Sequence, residues 1–238
     1  AGQSGTVGNT AVGHGAAETI TTSINITALG FEALSGATTE ADGNTAIGYQ
    51  SMDGNWTTAA HIKSVAVGGK TMRGTLTADS SGAVAIGYDA LNALTSGGGN
   101  IAVGFEALKS ITEAADNLAI GYGALTTGFE ALEKANHADI DANIAIGNYV
   151  LDNVDSNGVW GCVGIGHAVL SDTNSSAAQG STSIGYFGLS HLTSGEGNTT
   201  LGFKAGAFVT TGDNSTFIGF QAGMGITGAK LTGNSNTA

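Results

Sequence analysis

Cationic side chains are scarce in this chain: Lys and Arg number 7 against 19 Asp and Glu, a formal charge of −12 over 238 residues. A nucleic-acid binder needs a basic face to neutralise phosphates, and seven cations cannot build one, so that class is set aside. Cys162 is the single cysteine, which excludes an intrachain disulfide. A lone small thiol is read as a packed structural residue. No apolar run approaches the roughly 20 residues that cross a bilayer, so membrane insertion is not expected. Proline is absent altogether, whereas 40 residues are glycine, a composition unlike that of an ordinary globule.

What is present is a repeat. Aligning on one glycine gives Gly13, Gly30, Gly48, Gly68, Gly87, Gly104, Gly121, Gly147, Gly166, Gly185, Gly202 and Gly219. The spacings are 17, 18, 20, 19, 17, 17, 26, 19, 19, 17 and 17, and the 26 reads as one insertion at about residues 126–142. The residue before each glycine is always aliphatic: Val12, Leu29, Ile47, Val67, Ile86, Val103, Ile120, Ile146, Ile165, Ile184, Leu201 and Ile218. Three before the glycine stands Thr, Val, Ile or Leu. Strand-favouring residues alternating with smaller ones make a short β-strand. Two before the glycine the first eight copies carry Ala, so that face is nearly bare and is expected to meet a close neighbour.

An aromatic follows the glycine in eight copies, Phe31, Tyr49, Tyr88, Phe105, Tyr122, Tyr186, Phe203 and Phe220, and His in two more, His14 and His167. Coils stacked at the strand spacing of ~4.8 Å would align these rings into a ladder, read as part of the core. Asn recurs four before the glycine, for example Asn44, Asn100, Asn117, Asn143 and Asn198, where stacked coils let equivalent amides hydrogen-bond. Segments such as 95–99 and 193–197 supply turns and no helical period. Each repeat therefore reads as strand, turn, partial second strand and loop. The fold class is all-β, a parallel β-solenoid of about twelve coils forming one repeat domain over 1–238, with the aliphatic residue pointing into the coil. Because Asn236-Thr237-Ala238 matches Asn44-Thr45-Ala46, a thirteenth repeat is expected to open there and the chain to be a segment of a longer fibrous protein.

Gly43-Asn44-Thr45-Ala46-Ile47-Gly48-Tyr49-Gln50 and Asn100-Ile101-Ala102-Val103-Gly104-Phe105-Glu106-Ala107-Leu108 resemble the Asn-Thr-Ala-Ile-Gly-Tyr-x-Ala-Leu repeat of phage tail-fibre proteins. They are also similar to the left-handed parallel β-roll in the heads of YadA-like trimeric autotransporter adhesins. The resemblance covers about residues 8–238 and is closer to the fibres, whose repeats are longer and carry aromatics. It implies a homotrimer, intertwined or side by side, that spaces and presents loops to a host cell surface from a virion tail fibre. Its partners would be its own copies, other tail or fibre subunits, and a cell-surface glycan or outer-membrane protein. The alternative is an adhesin head on a bacterial surface.

Spellings that suggest chemistry are weak. Gly223-Met224-Gly225-Ile226-Thr227-Gly228 satisfies a dinucleotide-binding pattern but lacks room for the helix that must follow. Gly68-Gly69-Lys70-Thr71 sits in repeat register. The histidines, His14, His61, His137, His167 and His191, have no close zinc-type spacing, and loop residues such as Asp213-Asn214 lack an ordered calcium pattern. Glu130, Glu133, Asp139 and Asp141 in the insertion are read as a solvated acidic loop rather than a glycan-cleaving pair, the third and least favoured function. No catalytic residue, metal or cofactor is expected. Trp56 and Trp160 lie outside the repeat motif and are candidate receptor contacts.

Overall fold

The computed structural model describes residues 8–36, 41–54, 62–125, 140–152, 159–171, 178–225 and 235–238. Two compact units, Ala1–Asp116 and Asn117–Ala238, share one coil design. The first contains β1 (Thr10–Val12), β2 (Thr27–Leu29), β3 (Thr45–Ile47), β4 (Val65–Val67), β5 (Val84–Ile86) and β6 (Ile101–Val103). The second contains β7 (Leu118–Ile120), β8 (Ile144–Ile146), β9 (Val163–His167), β10 (Thr182–Tyr186), β11 (Thr199–Leu201) and β12 (Thr216–Ile218). Within each unit successive strands pair in parallel and in motif register, as in Ala28↔Ala46 with Leu29↔Ile47 and Ser183↔Thr200 with Ile184↔Leu201. The chain is thus an all-β parallel solenoid, one strand to each repeat. Thr237 takes the place of a further repeat by pairing with Thr216.

No partial second strand is found among the described residues; a left-handed turn replaces it. The residues two and four after the motif glycine adopt positive φ, as at Gln50 (51°) and Met52 (53°), Lys70 (58°) and Met72 (49°), and Phe187 (53°) and Leu189 (47°). Each such residue outside glycine costs roughly 1–2 kcal/mol. The compensation is directional. Gln50 N–H donates back to Phe31 O at 2.9 Å, whereas Met52 N–H donates forward to Thr71 O at 2.8 Å. Phe187 and Leu189 do the same, to His167 O (2.9 Å) and Ala205 O (3.2 Å). Alternating peptide direction binds each coil to both neighbours and leaves these amides satisfied.

The interior is narrow. Its strand wall is the middle alanine, fully buried at Ala28, Ala46, Ala66, Ala85 and Ala102 in the first unit and at Ala119 and Ala145 in the second. Facing it from the turn are Leu34, Met52, Met72, Leu91 and Leu108, and then Leu125, Leu151, Leu170 and Leu189, all essentially inaccessible. Where the alanine changes, its partners change with it. Gly164 takes the strand position where Val150 and Val169 enlarge the turn, and a Cβ there would overlap Val150 Cγ1. Phe217 fills that position in β12 and is 2 % exposed. Glycines stand where leucine otherwise would: a Cβ at Gly206 would lie 3.2 Å from Phe217 Cδ2, and one at Gly223 would overlap the ring. Close packing at a fixed coil width demands this exchange of volume.

The asparagine column is buried and ties coils together. Asn143 donates through its backbone and through Nδ2 to Asn117 Oδ1, at 3.0 and 3.1 Å. Elsewhere the amide reaches the neighbouring backbone, as when Asn44 Oδ1 accepts Ser64 N–H at 2.9 Å and Asn198 Oδ1 accepts Ser215 N–H at 2.9 Å. Cys162 occupies the same register, donating its backbone N–H to Asn143 Oδ1 at 3.0 Å and its Sγ–H to Ala178 O at 2.9 Å. Burial pushes its thiol up to about 11. At pH 8 the native protein therefore carries about a hundredfold less thiolate than a thiol titrating at 9. Iodoacetamide is expected to label Cys162 only after unfolding, read by intact mass; labelling of the native fold at the rate of a free thiol would contradict this packing.

Candidate assembly surface

The strand faces are inverted relative to the sequence expectation. Alanine points inward, and the aliphatic residue beside the glycine points out. Val12 is 56 % exposed, Leu29 46 %, Leu201 48 % and Ile218 59 %. Ile86, Ile120 and Ile184 are also exposed. Ile47, Val67, Val103, Ile146 and Ile165 are half-buried on the same outward register. The physical reason is width: with leucine or methionine projecting from the turn, the strand wall has space for a small side chain such as Ala85 or Ser183 and not for a branched aliphatic one. The close neighbour of the Ala/Gly side is thus the coil's own turn, together with the next coil's glycine.

That glycine is a point of backbone contact. Motif glycines have φ between 124° at Gly147 and 148° at Gly185. A Cβ at Gly30 would lie 2.5 Å from Gly48 O, one at Gly68 2.6 Å from Gly87 O, and one at Gly87 would overlap Gly104 O. Gly13, Gly48, Gly121, Gly166 and Gly202 meet the following glycine in the same way. At Gly219 the nearest atom is Ala222 Cβ at 3.9 Å.

The aromatic ladder forms, but on the surface. In the first unit His14, Phe31 and Tyr49 stack at centroid separations of 5.4 and 5.6 Å, and Tyr88 and Phe105 at 5.6 Å. Gly69 interrupts it, and Lys70 Nζ lies 5.6 Å from the Tyr88 centroid. In the second unit Asn148 takes the ring position, and the next residue, Tyr149, bridges edge-on between Tyr122 (5.5 Å) and His167 (5.9 Å). His167, Tyr186, Phe203 and Phe220 then stack at 5.1, 5.4 and 5.3 Å. Among its Phe and Tyr rings exposure runs from 39 % at Phe203 to 74 % at Phe220, and His167 is half-buried. Because the rings occupy one another's faces, they offer the outside mainly edges and hydroxyls. This makes the ladder a poor stacking platform for a sugar and a good lateral contact.

Three outward columns, at positions three before, one before and one after the glycine, thus lie side by side within each unit. None of their residues is charged in any of the twelve copies. Ion pairs lie on the turns instead: Arg73 with Asp53 at 3.6 Å, and Lys109 with Asp89 at 3.3 Å and Glu106 at 2.6 Å. The hydrogen bond from Lys109 to Glu106 raises the ammonium's pKa. A surface so apolar and so regular is the feature of this chain that calls for a partner.

The remaining candidates fall into place singly. Trp160 is 52 % exposed, whereas Trp56 lies outside the described residues. Of the acidic insertion, Glu130, Glu133 and Asp139 also lie outside them and Asp141 within. Among the described residues no group of three metal-ligating side chains forms, and no helix is long and apolar enough to cross a membrane. No family model, curated protein or solved structure matches the chain.

Proposed function

We propose that the chain is a structural and adhesive fibre segment that works as a homotrimer, in a bacteriophage tail fibre that spaces and presents loops to a host cell surface. The observation that carries this reading is the uncharged outward face. Within each unit its ridges recur once per coil, so a surface that complements them must share that axial repeat, and a second copy of this chain does. Aliphatic columns with a bordering ring ladder supply the dry, aromatic-rich centre that stable interfaces use. Threefold symmetry comes from the resemblance to fibre and YadA-like repeats. The aromatic register favours the fibre over the bacterial adhesin head, and the neighbouring genes separate the two: virion genes on one side, an outer-membrane anchor on the other. The reading assigns no catalysis, metal or cofactor.

Ile86→Lys and Ile184→Lys each place an ammonium on this face. Assembly would bury several such charges unpaired and close together, which costs several kcal/mol. Each variant is expected to shift from trimer to monomer in sedimentation while keeping the wild-type far-ultraviolet spectrum. Trimers that persist in both variants would remove the face from the interface.

A further inference from the structure

Trp160 stands outside the three columns of the assembly face, in a register six residues before its motif glycine. Backbone bonds fix this register in the second unit: Gly161 N–H donates to Asp141 O at 3.2 Å, Gly180 N–H to Trp160 O at 3.2 Å, and Gly197 N–H to Gln179 O at 3.0 Å. Asp141, Trp160 and Gln179 are therefore equivalent positions on three successive coils, separated by the strand spacing of about 4.8 Å. Glu196 and Asp213 continue the series.

Three properties make Trp160 more than a stray apolar side chain. Its backbone is anchored, since Val159 and Cys162 on either side are buried. Its own side chain is half exposed, at 52 %. The adjoining turns are also open: a Cβ added at Gly180 meets nothing within 4 Å, and one at Gly161 only Gly180 N at 4.0 Å. A half-exposed indole on an anchored backbone, with Asp141 at the same position one coil before and Gln179 one coil after, combines an apolar platform with groups that bind hydroxyls. The coil rise is close to the length of one pyranose unit.

We propose that the Asp141–Trp160–Gln179 column is a binding subsite for a neutral, β-linked pyranoside chain, the indole taking the sugar face that bears axial hydrogens. Asp141 accepts from ring hydroxyls, and the Gln179 amide both donates and accepts. Neutral glycans are selected because Asp141, Glu196 and Asp213 share the column and the whole chain carries −12, so uronates and sialosides are repelled. The proposal names the chemistry of the cell-surface contact in the fibre reading above, and rests on that reading.

The test uses the full chain in its native assembly state with cellotetraose, chitotetraose and galactotetraose as neutral probes and tetragalacturonate as the anionic one. Ligand-observed saturation-transfer NMR is expected to detect at least one neutral probe and not the uronate. Trp160→Ala is expected to weaken that binding about tenfold or more, with unchanged mass and melting temperature, and Gln179→Ala to weaken it less. Binding of no neutral probe, equal binding by Trp160→Ala, or preference for the uronate overturns the subsite. Mass measured on the same samples separates the two readings: a monomer that binds keeps the subsite and loses the trimeric fibre, and a trimer that does not bind does the reverse.

Discussion

Gly87→Ala is expected to destabilise the first unit by about 4 kcal/mol or more, well beyond an ordinary single substitution. Two penalties coincide at this residue. Its φ of 129° lies where only glycine rests without strain, and the new Cβ would enter the carbonyl oxygen of Gly104 on the next coil. Neither coil can retreat, because parallel strand bonds hold both, among them Gly104 N–H to Ile86 O at 2.8 Å. Gly82→Ala separates the two penalties. Its φ is also positive, at 78°, but an added Cβ meets nothing within 4 Å, so the cost should be only about 1–2 kcal/mol. Urea unfolding of the two variants measures the difference. Equal costs would mean that coil contact at the motif glycine contributes nothing.

The second large effect concerns Phe217, the one bulky ring at an inward strand position among the described residues. Phe217→Ala should cost about 3–5 kcal/mol through lost burial and the cavity left behind. Gly223→Leu alone should also be severe, since its side chain would meet the Phe217 ring. Together they recreate the Ala-and-Leu pairing of the other coils. Gly223 already has a φ of 56°, within a few degrees of the 52° of Leu108 and the 54° of Leu34, so leucine there adopts the conformation that the other coils carry, at the same cost of roughly 1–2 kcal/mol. The double variant is therefore expected to recover most of the stability, a coupling that a double-mutant cycle reads directly. Additive losses would show that the coil interior does not exchange volume between wall and turn.

These two sites mark what the sequence made legible and what it hid. The recurrent glycine and its aliphatic neighbour were enough to place all twelve strands, their parallel order and the ring ladder. Sidedness was lost. Val12, Leu29 and Ile86 are larger and more apolar than Ala28 or Ala85, so burial by hydrophobicity alone turns them inward. What decides their direction is the coil's width, and that depends on the turn leucines. Leu34, Leu91, Leu108 and their equivalents recur four after the glycine almost as faithfully as the aliphatic before it, a signal that could have marked the true core. It was obscured because leucine and methionine rarely take positive φ, so nothing in their propensity announces a left-handed turn. The asparagine column was legible, although its bonds run mostly to the neighbouring backbone rather than amide to amide. Trp160 could be singled out as lying outside the motif, and Asp141 and Gln179 stand 19 residues to either side of it, but that these three positions pair on successive coils needed the backbone bonds.

The central claim is that the uncharged face exists to be covered by further copies of the same chain. Mass photometry of the native protein at nanomolar concentration tests it directly. Particles of three times the 23.4 kDa chain mass are predicted. A monodisperse monomer at that concentration, still monomeric by sedimentation at tens of micromolar, would contradict it.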